Sequence, residues 1–318
     1  MAFGERELMA WLRRQSGEPA WPVVLGIGDD MAALEVGADE ASGGAGALMT
    51  SDMLLDGVHF DTTQHGLDQI GRKALACSLS DCAAMAVKPL AATVSVAWPG
   101  DLPGERIKEL YEGLFGLSRE FACPIIGGDT TRWGRPLAID VAMIACRYQE
   151  HRAIRRTGAQ VGDTLYVTGL LGGSLLGKHL SFHPRVRQAH DLASTMGAYL
   201  HAMMDLSDGL AMDLPRLCEA SGVGAVLAER LLDKVVSDDA RTAAEQDGRS
   251  PLDHALGDGE DFELLLAVAG DAPELPDVED LQLMPIGRVV ASGVQIEGRG
   301  GALRDLPCGG YDHLANNP

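Results

Sequence analysis

Residues 68–86 read DQIGRKALACSLSDCAAMA, a run of small and apolar side chains that predicts a long, largely buried helix. Asp81 lies inside this helix, among apolar neighbours. An ionised carboxylate in such surroundings costs several kcal/mol unless a partner compensates its charge. The sequence therefore predicts that a partner from elsewhere in the chain, or a bound cation, meets Asp81.

Around this helix a second pattern recurs, in which an apolar strand ends in small residues followed at once by an aspartate. It occurs as Gly26-Ile27-Gly28-Asp29-Asp30, Met49-Thr50-Ser51-Asp52, Ile126-Gly127-Gly128-Asp129 and Met204-Asp205-Leu206-Ser207-Asp208, and a related run, Gly257-Asp258-Gly259-Glu260-Asp261, precedes its strand. Each of these sites alone can be explained as turn chemistry, because Asx side chains bond local backbone and glycine accepts positive φ. Lysine and arginine are scarce in these segments, so the whole set favours a divalent cation. Hard oxygen ligands select Mg²⁺, Mn²⁺ or Ca²⁺.

Phosphate is the ligand that fits such a site. Carboxylates gather the cation, and adjacent glycines let backbone N–H groups approach phosphate oxygens. The Gly-x-x-x-x-Gly-Lys-[Ser/Thr] loop is missing from the sequence, and Gly26-x-Gly28 lacks the spacing of a dinucleotide fingerprint. An ATP enzyme with this sequence would belong to neither of these two common classes.

The predicted elements alternate between strands and helices along the whole chain, which indicates an α/β or α+β fold. The length of 318 residues fits two domains, or one large one. The polar, Arg-rich stretch 148–163 is the predicted boundary, between domains at 1–148 and 149–318. Strands are predicted at 23–28, 47–50, 93–98, 137–145, 164–168, 224–227 and 262–268, helices at 5–16, 68–86, 104–121 and 208–220, and a surface loop at 270–280.

Composition narrows the class of protein further. The chain has 46 Asp and Glu against 26 Lys and Arg, a formal charge of −20, which argues against a protein that coats nucleic acid. The six cysteines form no CxxC pair and are interpreted as reduced core residues. The sequence has no cluster of His and Cys with ligand spacing, which argues against a zinc site. No apolar run reaches the length of a membrane span, and the N-terminus does not resemble a signal peptide. We expect a cytoplasmic protein that binds neither membrane nor nucleic acid.

Taken in order, these segments resemble the thiamine-monophosphate kinases from near residue 4 to near residue 313. Each segment is weak by itself, but eight in the same order are specific. The segments are Gly26-Ile27-Gly28-Asp29-Asp30, Ser51-Asp52-x-Leu54-Leu55-x-Gly57-Val58-His59-Phe60, Leu79-Ser80-Asp81-x-Ala83-Ala84-Met85, Ile126-Gly127-Gly128-Asp129-Thr130-Thr131, Gly162-Asp163-x-Leu165-Tyr166-Val167-Thr168-Gly169, Asp205-Leu206-Ser207-Asp208-Gly209-Leu210, Gly259-Glu260-Asp261-Phe262-Glu263-Leu264 and Gly310-Tyr311-Asp312-His313.

The resemblance implies the two-domain fold of aminoimidazole ribonucleotide synthetase, with an N-terminal domain that forms a homodimer and a C-terminal α/β domain. It implies transfer of the γ-phosphoryl group of ATP to the phosphate of thiamine monophosphate, assisted by several Mg²⁺ ions. Asp52, Asp81 and Asp129 are the implied catalytic residues. The implied metal ligands are Asp30, Thr50, Ser51, Asp52, Asp81, Asp129, Asp205 and Asp208; the ATP contacts are Gly128, Asp129, Arg156 and Ser207; and the thiamine contacts are His59, Glu260 and Tyr311.

Two other functions stay open at this point. One is a related ATP-dependent enzyme, of the aminoimidazole ribonucleotide synthetase kind, that acts on another phosphorylated acceptor. The other is a non-catalytic protein that binds nucleotide or metal on the same scaffold. Met53, Ala86 and His151 depart from the family pattern, which has threonine at the first position and glycine at the other two, and the segment 173–184 is shorter. For His59, a general base and a polar residue satisfied at a strand end are alternatives to substrate contact.

Overall fold

The computed structural model describes residues 5–16, 22–36, 45–273, 275–307, 309–311 and 314. Within these residues the chain forms two β-sheets and the helices that pack against them. The elements of the first half are α1 (Glu5–Ser16), β1 (Val23–Leu25), β2 (Ala32–Val36), β3 (Ala45–Leu55), α2 (Leu67–Ala84), β4 (Lys88–Pro99), a 3₁₀ turn (Gly104–Arg106), α3 (Ile107–Glu120), β5 (Ile125–Trp133) and β6 (Ala138–Cys146).

The first sheet has six strands in the order β1-β2-β3-β6-β4-β5. Its neighbouring strands are antiparallel except β4 and β5, which run parallel because α3 makes the crossover between them. Buried and exposed residues alternate along β4 and β6, so one face of the sheet packs inward and the other faces outward. The outward face carries exposed apolar side chains, among them Met49, Met53, Leu90 and Ile144.

The second sheet has seven strands in the order β13-β12-β9-β11-β7-β10-β8, with β9 and β12 as its parallel pair. The elements of this half are β7 (Thr164–Val167), a 3₁₀ turn (Ser174–Leu176), α4 (Lys178–Ser181), α5 (Val186–Met196), a 3₁₀ turn (Gly197–Tyr199), β8 (Leu200–Asp205), α6 (Leu210–Ser221), β9 (Gly224–Ala228), α7 (Glu229–Leu232), α8 (Asp238–Asp247), α9 (Pro251–Gly257), β10 (Leu264–Val268), β11 (Met284–Val290), β12 (Val294–Glu297) and β13 (Leu303–Asp305).

Helix α2 lies between the two sheets, and this position explains why its side chains are apolar on every side. It packs against β3, β4 and β6 of the first sheet and α3, and also against α4, α5 and β8 of the second half. One hydrophobic core therefore runs from Leu75 and Leu79 on α2 to Met203 on β8 and Leu264 on β10. A helix surrounded by protein has no polar face to present to water.

The predicted α/β (α+β) fold is confirmed, and the structure shows it as two sheets with helices packed against them. The prediction that strands end just before Asp52 and Asp129 is wrong: β3 continues to Leu55 and β5 to Trp133. Each strand stays hydrogen-bonded to its neighbour through the aspartate, Asp52 opposite Val141 of β6 and Asp129 opposite Ser95 of β4. Asp129 is exposed on edge strand β5, whereas Asp52 points inward, where its carboxylate accepts a hydrogen bond from Ser78 of α2.

The boundary at 148/149 stays a prediction, as does the cytoplasmic location. Among the described residues, no helix is both long and apolar enough to span a membrane. Five cysteines are free, and four of them are buried. Cys308 lies outside the described residues.

Candidate active site

Three aspartates from distant parts of the chain meet where α2 passes between the two halves. Asp30 follows β1, Asp81 lies in the last turn of α2, and Asp205 ends β8. One carboxylate oxygen from each of them lies within 4.8 Å of the others. Asp30 and Asp205 are buried and Asp81 is half-buried. The fold thus gathers three carboxylates that lie between positions 30 and 205 of the sequence.

Each of these carboxylates is held by a polar side chain from a neighbouring segment. The Thr50 hydroxyl of β3 donates to Asp81, and the Ser80 hydroxyl of α2 donates to Asp205 over 2.6 Å. Arg156 binds Asp30 through two parallel hydrogen bonds, from Nε over 3.1 Å and from Nη2 over 2.7 Å. Such a two-pronged contact fixes the carboxylate plane.

The cluster carries more negative charge than its surroundings neutralise. Burial, together with the charges of Asp52, Asp205 and Asp30, raises the pKa of Asp81 well above its usual range. Burial and the charge of Asp30 do the same to the pKa of Asp205, with Asp213 adding to the effect. These carboxylates keep a proton more readily than free aspartate does.

A divalent cation fits this donor set. Three carboxylates face one guanidinium, Arg156, which leaves a charge of about −2 when all three are ionised. Buried carboxylates of this kind are paired or bind metal, and oxygen ligands suit Mg²⁺ or Mn²⁺. Three side chains would leave room for water and phosphate oxygens to complete the six-fold shell that Mg²⁺ requires.

Asp52 connects the cluster to an adjoining pocket. Its carboxylate accepts a 2.6 Å hydrogen bond from Ser78, one turn before Asp81 on α2. Burial raises the pKa of Asp52 to about 6, and the charge of Asp140 adds to this effect. Asp52 also lines a pocket of about 480 Å³ whose wall is largely apolar. Apolar side chains around the pocket are Met53, Leu54, Leu55, Val58, Leu175, Phe262 and Tyr311.

The same pocket collects most of the residues predicted to touch substrate. His59, Ser207, Glu260 and Tyr311 line it, and so does Asp208, which was predicted as a metal ligand. The backbone N–H of Leu55 donates to Nδ1 of His59 over 3.0 Å, so the neutral ring carries its proton on Nε2.

Asp208 lies in the wall of this pocket, and the three-aspartate cluster of the described residues does not include it. Arg216 donates to its carboxylate over 2.5 Å and to that of Asp213 over 2.8 Å.

The structure places three other predicted residues apart from this cluster. Ser51 points to the outer face of β3, opposite to Thr50 and Asp52, and donates to Asp140 over 2.8 Å. Asp129 is exposed on β5 and borders a second cavity, of about 210 Å³, together with Asp140. Gly128 lies beside Asp129, and a Cβ there would come within 1.8 Å of the Val94 carbonyl oxygen. The roles implied for these residues stay predictions.

Sequence reasoning missed several polar residues that the fold brings to the site. Asp140 stands in the apolar strand Ala138-Ile139-Asp140-Val141, and Lys73 stands in the same apolar helix as Asp81. A charge within an apolar run was the available signal in both cases. His179, which lies beside Lys73, had no such signal, because only the fold brings α4 to α2.

The comparisons with known proteins agree with this architecture. Family models described as "AIR synthase related protein" match the chain, the N-terminal domain at residues 28–146 and the C-terminal domain at residues 160–298. The two sheets and the carboxylate cluster between them thus belong to a protein of the AIR synthase-related class.

Curated relatives and a solved structure narrow that class. A thiamine-monophosphate kinase of Rhodopirellula baltica is 38% identical over 292 residues, covering 90% of this chain and 89% of the relative. One from Salmonella typhimurium is 32% identical and covers 99% of both chains. A structure described as AaThiL complexed with AMPPCP and TMP superposes with a TM-score of 0.77 at 26% identity, covering 98% of this chain and 97% of the other. The chain belongs to the thiamine-monophosphate kinase family.

Proposed function

We propose that the protein catalyses the direct transfer of the γ-phosphoryl group of ATP to the phosphate of thiamine monophosphate, giving thiamine diphosphate and ADP. Its family membership and the bound molecules named for the AaThiL structure support both substrates. The observation that carries the proposal is the cluster of Asp30, Asp81 and Asp205 beside a largely apolar pocket. A charged phosphate end and a flat heterocycle would each find a matching environment there.

Asp30, Asp81 and Asp205 are the residues proposed to hold Mg²⁺, with Asp52 next to them. Bound Mg²⁺ would supply the positive charge that offsets the repulsion between two phosphate groups. Arg156 orients Asp30, while Thr50 and Ser80 orient Asp81 and Asp205. These contacts keep the carboxylates in place before the substrates arrive, which lowers the cost of assembling the site.

The acceptor phosphate is already ionised near neutral pH, so the chain needs no general base. His59, Glu260 and Tyr311 are the proposed contacts of the thiamine moiety, because they line the pocket that Asp52 joins to the cluster. Ser207, in the same wall, and Arg156, beside Asp30, are the proposed ATP contacts. Positioning and charge neutralisation are then the main catalytic contributions of the protein.

A homodimer is part of the proposal. On the outer face of the first sheet, Met49 and Ile144 are paired and exposed, Leu90 is exposed on β4, and Met53 further along β3 is 61% exposed; on edge strand β5, Ile126 is 66% exposed. Exposed apolar side chains on one face of a sheet are a candidate interface between proteins. Light scattering on the purified protein should give twice the monomer mass, and Met53→Glu should lower it. A monomeric wild type would contradict this part of the proposal.

Turnover of purified protein with ATP, Mg²⁺ and thiamine monophosphate tests the function directly. We expect ADP and thiamine diphosphate in equal amounts, and Asp81→Asn should lower kcat by orders of magnitude because it removes a metal ligand. Asp163→Asn is the matched control. Asp163 is a buried carboxylate that contacts His201, at the opposite end of β8 from Asp205. Wild-type activity in Asp81→Asn, or turnover only with another phosphorylated acceptor, would contradict the proposal.

A further inference from the structure

Lys73 is a fully buried lysine in the interior of this structure. It is the largest side chain on α2 with no exposed surface, at 0%. Removing an ammonium from water costs several kcal/mol unless its charge and its donors are all satisfied. An apolar residue would fill the same space in the helix without that cost. The charge of Lys73 therefore needs an explanation beyond packing.

The Lys73 ammonium joins three segments that are separate in sequence. Its Nζ lies 2.5 Å from the carbonyl oxygen of His59, 2.5 Å from Oε2 of Glu260 and 3.0 Å from Nδ1 of His179. His59 belongs to the loop after β3, Glu260 to the loop before β10, and His179 to α4. Two of these three partners, His59 and Glu260, line the pocket proposed for thiamine monophosphate.

The Glu260 carboxylate is held from one side. Nζ of Lys73 and Nδ1 of His179 both contact Oε2, at 2.5 and 3.1 Å. Among the described residues, no hydrogen bond or ion pair reaches the other oxygen of this carboxylate, so that oxygen is available to a molecule in the pocket. The His179 ring can serve either neighbour: Nδ1 accepts from Lys73 when it carries no proton and donates to Glu260 when it does.

The backbone of Glu260 also needs support. Its φ is +55°, in the left-handed region that non-glycine residues rarely adopt. The N–H of Glu260 donates to the Ser207 carbonyl over 2.6 Å, which ties this strained residue to the segment between β8 and α6. Strain of this kind persists only where the surroundings determine the conformation. Lys73, together with His179, holds the side chain of this strained residue.

We propose that Lys73 is a positioning residue that acts through Glu260, fixing its carboxylate so that the outer oxygen recognises the cationic, amine-bearing heterocycle of the acceptor. The proposal rests on the proposed function, because thiamine monophosphate supplies both a permanent thiazolium charge and an amino donor. A carboxylate locked in place loses less side-chain entropy on binding than a mobile one.

The electrostatics of Glu260 agree with this role. Burial alone would raise the pKa of Glu260, but the hydrogen bond from His179 and the charge of Lys73 outweigh it, and the pKa lies below its usual value. Glu260 is thus an anion at neutral pH although it is largely buried. An ionised acceptor is what a cationic ligand requires.

Steady-state kinetics of Lys73→Met test the proposal. We expect KM for thiamine monophosphate to rise by about tenfold to a hundredfold, the loss typical of a hydrogen bond to a charged group, while KM for ATP stays within about twofold. Lys178→Met is the matched control. Lys178 also pairs with a buried carboxylate, Glu263, but lines a different cavity. Its KM for thiamine monophosphate should stay at the wild-type value.

A double-mutant cycle shows whether Lys73 works through Glu260. If it does, the double variant Lys73→Met/Glu260→Gln should have a KM for thiamine monophosphate no higher than that of Glu260→Gln alone. Additive losses, or an unchanged KM in Lys73→Met, would overturn the proposal. Lys73→Gln keeps a hydrogen-bond donor without the charge, so its KM for thiamine monophosphate should rise less than that of Lys73→Met.

Two outcomes separate this proposal from the proposed function. Wild-type protein that fails to phosphorylate thiamine monophosphate but binds it in a calorimeter would contradict the function, and the same Lys73 and Glu260 variants would then be compared by dissociation constant. If neither Lys73 variant folded while Glu260→Gln did, Lys73 would be a core residue, and the positioning role would be overturned.

Discussion

Asp81→Asn should stabilise the metal-free protein while it lowers kcat by orders of magnitude. The oxygens of Asp81, Asp30 and Asp205 lie within 4.8 Å of one another. At an effective dielectric of about 20, two unit charges at that distance repel by about 3.5 kcal/mol. Arg156 offsets part of this repulsion. Because Asp81 can bind a proton instead of staying charged, the remaining destabilisation is at most about 1.4 kcal/mol for each unit by which its pKa is raised. We therefore expect a gain of about 1–3 kcal/mol at pH 8.

The pH dependence has a definite sign. The pKa of Asp81 is raised in the folded protein, so the folded state binds the proton more tightly than the unfolded chain does. The stability of the metal-free wild type is fully present below the pKa of an unfolded aspartate, about 4, and falls as pH rises toward the raised value. Asparagine removes the titration of residue 81, and Thr50 can still donate to its amide oxygen. The decline should therefore be shallower in Asp81→Asn.

Thermal unfolding in EDTA between pH 5 and pH 8 measures both effects. At pH 8 the unfolding temperature of Asp81→Asn should lie above that of the wild type by a few degrees, roughly 2 °C per kcal/mol for a chain of this size. Added Mg²⁺ should then raise the unfolding temperature of the wild type more than that of the variant, since an ion that binds the folded state stabilises it. A variant that is less stable than the wild type in EDTA at every pH, with an unchanged response to Mg²⁺, would refute the reasoning.

Three further predictions concern backbone strain and the titration of Asp52. Ala86 has a φ of +51°, so Ala86→Gly should raise the free energy of unfolding by about 0.5–1 kcal/mol in urea titrations, whereas Ala84→Gly within α2 should lower it. Gly128→Ala would place Cβ 1.8 Å from the Val94 oxygen and should cost more than about 2 kcal/mol; Gly127→Ala, whose nearest contact is 3.9 Å away, is the control, and equal losses would contradict the reasoning. Burial and then the Asp140 charge raise the pKa of Asp52 to about 6, so activity should fall as pH drops through that region. Asp140→Asn should move the acidic limb of the pH–activity profile to lower pH. An unchanged acidic limb would show that Asp140 does not influence the site.

The fold class and the aspartates that the fold gathers could be predicted from the sequence because they leave local signals; the roles of the site residues stay predictions. The apolar run of α2 predicted a long, largely buried helix, and Asp81 within it predicted a compensating partner or a bound cation. The structure supplies the Thr50 hydroxyl as a hydrogen-bond donor, while the nearby Asp30 and Asp205 add like charge that a cation would offset. Strand ends were harder to predict. Asp52 and Asp129 look like turn residues by composition, but pairing with β6 and β4 keeps both within strands. Tertiary pairing outweighs local preference at such positions.

Side-chain direction and long-range partners could not be read from the sequence. Ser51 and Asp52 are neighbours that point to opposite faces of β3, so one contacts Asp140 and the other Ser78. The three contacts of Lys73 join residues separated by up to 187 positions, and no periodicity encodes such a junction. Glycine was expected at residue 86, and the positive φ of Ala86 supplies the physical reason for that preference.

Anomalous diffraction from crystals grown with Mn²⁺ and a non-hydrolysable ATP analogue tests the metal site most directly. We expect manganese peaks within direct coordination distance of the carboxylate oxygens of Asp30, Asp81 and Asp205, with the terminal phosphate of the analogue bound to the same ions. Nucleotide bound with its phosphates away from these three aspartates, and no manganese between them, would contradict the central claim.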